Sequence, residues 1–122
     1  MNEKKIVAIV QARMGSSRLP GKVLRDISGK PMLAWVVERA RKANTLSEVM
    51  VATTTDKDDD VIDQVCDTMK VACFRGDIYD VLDRYYQAAR EIQADVIIRL
   101  TADCPLIDPR LVDLVVEKFI EE

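Results

Sequence analysis

Short runs of consecutive apolar residues alternate with apolar positions at helical spacing along the whole chain. Residues 5–11 contain Ile6-Val7-Ala8-Ile9-Val10. An uninterrupted apolar run of this length predicts a central parallel strand covered on both faces. Pro31 stands where a first helical position is favourable, and Leu33, Val36, Val37 and Ala40 then follow the i, i+3, i+4, i+7 pattern. Trp35 sits beside this stripe and reads as a core or interface residue rather than a base-stacking one. Residues 44–47 form a turn, and 48–53 (EVMVAT) a second strand. The next helix has Val61, Ile62, Val65, Cys66 and Met69 as its apolar face. A short third strand spans 71–74, followed by a helix with Val81, Leu82, Tyr85, Ala89 and Ile92 on one side. Residues 95–100 (DVIIRL) make a fourth strand. Asp108-Pro109 caps a last helix whose inner face is Leu111, Val112, Val115, Val116 and Phe119.

Four strand–helix units in strict alternation predict a parallel sheet with helices on both faces, joined by right-handed crossovers. The expected fold class is α/β, a three-layer α/β/α Rossmann-like sandwich. The 122 residues suit one nucleotide-binding domain, 1–122, without repeat, low-complexity segment or linker. One irregularity stands out: the chain stops on a helix at Glu121-Glu122, with no closing strand.

Charge and composition narrow the function classes. Eighteen basic against 21 acidic residues give a net charge of −3, which disfavours non-specific binding to nucleic acid or an anionic membrane. No apolar run has the length of a membrane span, and residues 1–5 lead into the first strand without a signal peptide's apolar stretch. The three cysteines, Cys66, Cys73 and Cys104, form no CxxC pair, and there is no histidine. Zinc ligation and a disulfide scaffold are therefore disfavoured, and a reducing cytoplasm fits best. Histidine triads and histidine general bases are excluded, so any chemistry rests on carboxylates, cations, hydroxyls or a metal.

Against that acidic background, residues 12–22 (ARMGSSRLPGK) are a local basic feature. Directly after the first strand they gather two glycines, two serines and the cations Arg13, Arg18 and Lys22. Glycine lets backbone approach a ligand, amides and hydroxyls donate, and the cations balance phosphate charge. The plainer alternative is a solvated basic loop. Neither GxxxxGK[ST] nor GxGxxG is present, which disfavours P-loop hydrolases and dinucleotide-binding oxidoreductases. Ligands of open α/β sheets bind beyond the carboxyl ends of the strands. Those ends hold Gln11-Ala12-Arg13, Thr53-Thr54-Thr55, Arg75-Gly76-Asp77 and Thr101-Ala102-Asp103. Asp103 suits a fixed carboxylate that shares Mg²⁺ with phosphate oxygens, or a turn residue. The acidic residues within 56–60 are a metal cluster or, more simply, helix N-terminal acids stabilised by the dipole. Arg99 either reaches substrate from the strand end or pairs with an acidic neighbour.

Four separated segments carry a resemblance: IVAIVQARMGSSRLPGKVLRDISGKPML, VATTTD, CFRGDIYDVLDRY and RLTADCPLIDP. From residue 5 to about 115 the chain resembles the cytidylyltransferase family of sugar-acid activators, nearest its spore-coat polysaccharide biosynthesis protein F branch. The resemblance implies a nucleotide-diphospho-sugar transferase fold and transfer of CMP from CTP to a sugar or sugar acid, with release of pyrophosphate. It implies that Arg13, Gly15, Ser16, Ser17, Arg18 and Lys22, in the stretch opened by Ala12, hold the triphosphate, and that Asp103 ligates Mg²⁺. Arg13, Lys22 and Asp103 are then the expected catalytic residues. Thr53 and Thr54 would lie near the nucleotide, and Arg75 near the base or sugar. The family is roughly twice as long, so the chain resembles its N-terminal half, expected to bind nucleotide. The sugar-binding residues, a second metal-binding aspartate and the dimerisation arm of a homodimer belong to the later part. Rival expectations are a glycosyltransferase using a nucleotide-sugar, disfavoured by one carboxylate in Thr101-Ala102-Asp103, and a non-catalytic nucleotide-binding module.

Overall fold

In the computed structural model, which describes residues 4–15, 21–102 and 108–121, the first apolar run becomes the middle of a parallel sheet. Strand β1 (Ile6–Gln11) leads to a small hairpin, β2 (Asp26–Ile27) and β3 (Lys30–Pro31), and then to helix α1 (Met32–Arg41). There follow β4 (Glu48–Thr54), α2 (Asp60–Met69), β5 (Ala72–Gly76), α3 (Val81–Ile92), β6 (Val96–Thr101) and α4 (Pro109–Glu121). The main sheet has four strands in the order β5-β4-β1-β6, all parallel.

Two-sided burial explains the unbroken apolar run. Ala8 and Val10 pack with Leu33, Val36, Val37, Ile62 and Cys66 beneath α1 and α2. Val7 and Ile9 point the other way, against Tyr85, Ala88 and Ala89 of α3. Successive strand residues face opposite sides, so a strand covered twice has no polar position to spare. Helix α4 rests on the first of these faces, near the edge, with Val112 and Val116 against Ile6, Ala43 and Val96.

Several local expectations change. Helix α1 starts at Met32, because Pro31 is its N-cap in extended conformation and closes β3. Residues 26–31, which the apolar pattern leaves unassigned, form a hairpin: Ser28 and Gly29 both have positive φ, 50° and 94°, as a tight two-residue hairpin turn requires. Trp35 clasps that hairpin to α1, donating from Nε1 to the Ile27 carbonyl at 2.7 Å with the Lys30 ammonium over its ring. In α3, Val81 and Leu82 are exposed, and the inner face is Arg84, Tyr85, Ala88 and Ala89. In α4, Leu111, Val115 and Phe119 are exposed, and only Val112 and Val116 of the expected face are buried. A helix seated on a sheet edge covers little area, so a narrow i, i+4 stripe suffices.

Cys66 and Cys73 are free. A hydrogen bond with Cys66, reinforced by burial, pushes the Cys73 thiol well above its ordinary range, which suits an inert packing residue. Among the described residues no helix is long and apolar enough to cross a membrane.

Candidate functional site

The carboxyl ends of the four strands are stitched together by backbone hydrogen bonds. Gln11 pairs in register with Thr101 on one side and Ala52 on the other. Just beyond the strand end, the Ala12 amide donates to the Ala52 carbonyl, and the Ala102 amide to the Gln11 carbonyl, each at 3.0 Å. The chain therefore enters residues 12–22 and leaves toward Asp103 from neighbouring positions. Thr55 donates to the Gly76 carbonyl at 3.0 Å and ties the β4 and β5 ends together. Because β1 continues to one side of itself and β6 lies on the other, the order of the sheet reverses here. Such switch points open a crevice at the strand ends.

The basic loop is closed at its base and anchored from below. Gly21 donates to the Met14 carbonyl at 2.8 Å, so residues 14 and 21 lie side by side. Gly21 has a φ of 77°, a conformation that favours glycine. Asp59, only 2% exposed, accepts from the Met14 amide at 2.8 Å and from the Thr54 hydroxyl. The Thr54 hydroxyl in turn accepts from the Asp56 amide at 3.1 Å. Sequence reasoning grouped Asp59 with the helix N-terminal acids. Asp56 does cap the 3₁₀ turn there, accepting from the Asp58 amide at 2.8 Å. Asp59 instead turns inward as the loop's anchor. Nothing in its spacing from residue 14 signals this, because the contact joins residues 45 apart in the chain.

Arg13 is half-buried, and its Nε is enclosed without a hydrogen-bond partner among the described residues. A Cβ on Gly15 would lie 3.4 Å from Arg13 Nη2, so the glycine leaves that guanidinium room. Lys22 is half-buried in the 3₁₀ turn Lys22–Leu24 that follows the loop. Ala12 is buried, its amide already bonded to Ala52. Ser16, Ser17, Arg18 and Asp103 lie outside the described residues.

Thr53 and Thr54 are both fully buried, Thr54 serving the Asp59 anchor and Thr53 with its hydroxyl enclosed and unpartnered. Arg75 is turned toward the start of α2. Its Nε donates to the Thr54 carbonyl at 2.7 Å, its Nη2 to the Asp56 carbonyl at 2.9 Å, and it pairs with Asp60 at 2.8 Å. These contacts make it a clasp between β5 and α2. Arg99 stacks over the Tyr85 ring, 4.5 Å from its centroid, and among the described residues it pairs with no acidic side chain. The Tyr85 phenol donates to the Leu100 carbonyl at 3.1 Å, and burial pushes its pKa up.

Sequence reasoning also passed over Arg84. It is fully buried on α3, beneath the strand ends. With the Gln11 amide oxygen facing it, Arg84 donates from Nε at 3.1 Å and from Nη2 at 2.8 Å; Nη1 donates to the Asp77 carbonyl at 2.6 Å. Gly76 makes its path: a Cβ there would lie 2.9 Å from both Arg84 Cγ and Phe74 Cε2. Among the described residues no His, Cys, Asp or Glu cluster could hold a metal ion.

The profile of one protein family, described as cytidylyltransferase, matches residues 7–122. The chain belongs to the cytidylyltransferase family. Solved cytidylyltransferases share its fold. A cytidylyltransferase from Leptospira borgpetersenii superposes with a TM-score of 0.93 at 38% identity, covering 98% of this chain and 50% of that one. A CMP:2-keto-3-deoxy-manno-octonic acid synthetase complexed with CTP gives a TM-score of 0.85 at 37% identity, covering 97% and 48% of the two chains. In sequence, this cytidylyltransferase-family chain is 36% identical to the spore coat polysaccharide biosynthesis protein SpsF of Bacillus subtilis. That match covers 96% of this chain and 50% of SpsF. The chain thus spans about half the length of the relatives it matches.

Proposed function

We propose that the strand-end site grips the triphosphate of CTP for transfer of CMP to a sugar or sugar acid in polysaccharide biosynthesis, in the cytoplasm. The observation that carries this reading is the Ala102–Gln11 hydrogen bond at the switch point. It joins the residue that leads into the basic loop to the residue that precedes Asp103, in a family with a CTP-complexed relative.

The reaction is an in-line displacement. The sugar hydroxyl oxygen forms a bond to the α-phosphorus of CTP, the bond from that phosphorus to the bridging oxygen breaks, and pyrophosphate leaves with the electron pair. The hydroxyl proton passes to solvent or a carboxylate. Such transfer depends on positioning and charge neutralisation rather than a protein nucleophile, which agrees with a chain that has no histidine. Arg13, Arg18 and Lys22 offset the charge that builds on the leaving pyrophosphate. Loop amides and the Ser16 and Ser17 hydroxyls hold phosphate oxygens, and the Asp59 anchor keeps the loop base fixed while they do so. A divalent metal fits the donor chemistry here: a hard carboxylate, Asp103, directly follows Ala102, whose amide is bonded to β1. Asp103 would hold Mg²⁺, which when bound supplies charge neutralisation on the phosphates. Thr53, Thr54 and Arg75 then support the site from behind rather than touching nucleotide. The sugar-binding residues and a homodimer contact fall to chain beyond these residues.

The test is calorimetric titration with CTP, UTP and GTP, with and without Mg²⁺. CTP should bind best, and Mg²⁺ should strengthen it. Arg13→Ala should weaken CTP by about 10- to 100-fold, the loss of one charge-assisted contact. Asp103→Asn should abolish the Mg²⁺ dependence. Unchanged affinity in Arg13→Ala and unchanged metal dependence in Asp103→Asn would dismiss the site. Pyrophosphate release with CTP and a panel of sugar acids tests the transfer itself.

A further inference from the structure

Two guanidinium groups, Arg13 and Arg84, repel one another, and among the described residues no carboxylate is paired to either. Arg84 is fully buried, and its hydrogen-bond partners among the described residues are neutral oxygens, the Gln11 side-chain amide and the Asp77 carbonyl. No ion pair joins it to an acidic side chain among the described residues. The nearest buried carboxylate, Asp59, is already taken up by the Met14 amide and the Thr54 hydroxyl. Arg13 carries an enclosed Nε with no hydrogen-bond partner among the described residues. Burial, and then the charge of Arg13, hold the Arg84 guanidinium below its ordinary pKa, while Asp59 and Asp77 oppose this from a distance. A buried cation without a counter-charge is costly to keep, and mutual repulsion adds to the cost. The fold nevertheless makes special room for it at Gly76.

We infer that Arg84 is a positioning residue of the phosphate site: a second, buried cation behind Arg13 whose charge is balanced only when a polyphosphate occupies the loop. The guanidinium grips Gln11, the residue from which both the loop and the Asp103 segment hang. It therefore fixes where Arg13 starts while adding positive potential from below. In the low-dielectric interior such a charge acts on an anion without touching it. This inference rests on the phosphate-binding reading above and extends it to a residue to which the sequence analysis gave no role.

The probe is inorganic tripolyphosphate without metal, titrated calorimetrically into the protein and its variants. Arg84→Met, similar in length and uncharged, should bind it about tenfold more weakly or worse. Arg84→Lys, which keeps the charge, should stay within about threefold of wild type. Gln11→Glu places a carboxylate on the guanidinium and balances it in place. It should raise the ligand-free melting temperature by a few degrees while weakening tripolyphosphate. If Arg84→Met does not fold, the lysine and glutamate variants still decide the matter. Arg84→Met binding within twofold of wild type, Arg84→Lys as weak as Arg84→Met, or a lowered melting temperature in Gln11→Glu would each overturn the inference. Wild-type protein that leaves tripolyphosphate unbound would instead bring down the phosphate-binding reading, and this inference with it.

Discussion

Asp59 shows how a single side chain can hold a functional loop without belonging to it. The carboxylate is almost wholly enclosed, yet both of its oxygens are matched, one by a loop amide and one by a threonine hydroxyl on the neighbouring strand. Removing one partner of a buried charged pair leaves the other group unsatisfied, which costs more than the bond itself. Asp59→Ala should therefore destabilise the fold by about 2–3 kcal/mol. It should also weaken CTP, because the loop base loses its fixed point. Urea unfolding and CTP titration on the same variant check both effects, and a change in stability alone would separate anchoring from binding. At this scale the sequence was only partly legible. The cations of the loop could be named from their types and their place after a strand. Asp59 and Arg84 could not, because their roles come from partners far away in the chain and from burial that their residue types ordinarily avoid.

At the scale of elements, the period of the apolar pattern located every helix and every strand of the main sheet. It erred in phase where a helix uses an unusual inner residue. On α3 the pattern favours Val81 and Leu82, but the helix turns so that the long stem of Arg84 and the ring of Tyr85 face the sheet. The aliphatic part of an arginine packs like any apolar chain once its head finds acceptors. The same pattern cannot announce a two-residue strand, so the hairpin 26–31 was legible only through Ser28-Gly29. Helix α4 adds a polar attachment to its narrow apolar stripe. Asp113 accepts from the Asn44 amide at 3.0 Å, the Thr45 amide at 2.8 Å and the Thr45 hydroxyl. The Thr45 hydroxyl first, and then the Asn44 amide, hold its carboxyl below the ordinary range. A carboxyl whose folded pKa lies below its unfolded one stabilises the fold above the unfolded value and stops doing so as pH falls through the folded value. Asp113→Asn should thus cost about 1 kcal/mol at neutral pH. The difference from wild type should shrink as pH drops below about 4. Urea unfolding at neutral and acidic pH measures it, and a pH-independent difference would rule out the carboxylate as the cause.

At the scale of the whole molecule, stability should grade outward from β1. That strand is bonded on both edges and covered on both faces, whereas β5 and β6 lie at the margins and one side of β6 is open, with Ile97 36% exposed. Hydrogen exchange should find the slowest amides in β1 and β4 and faster ones in β6 and α4. Uniform protection across the sheet would show instead that the edges unfold only with the centre. The family membership and the parallel sheet flanked by helices agree with what the sequence led one to expect, whereas the strand order was not read from it. Residue-level contacts at the crevice required coordinates, since they depend on which strand ends become neighbours.

The pairing of β1 with β6 has a kinetic consequence. The Lys5 amide bonds to the Asp95 carboxylate across 90 residues of chain, and the whole β1–β6 ladder spans a similar separation. Closing so long a segment is slow compared with forming a helix or a hairpin. Strand β1 therefore waits for β6, made about 90 residues later, before its second edge is filled. Gln11 cannot accept from Ala102 until residue 102 has been synthesised, so the two sides of the crevice come together late, in a single closing step.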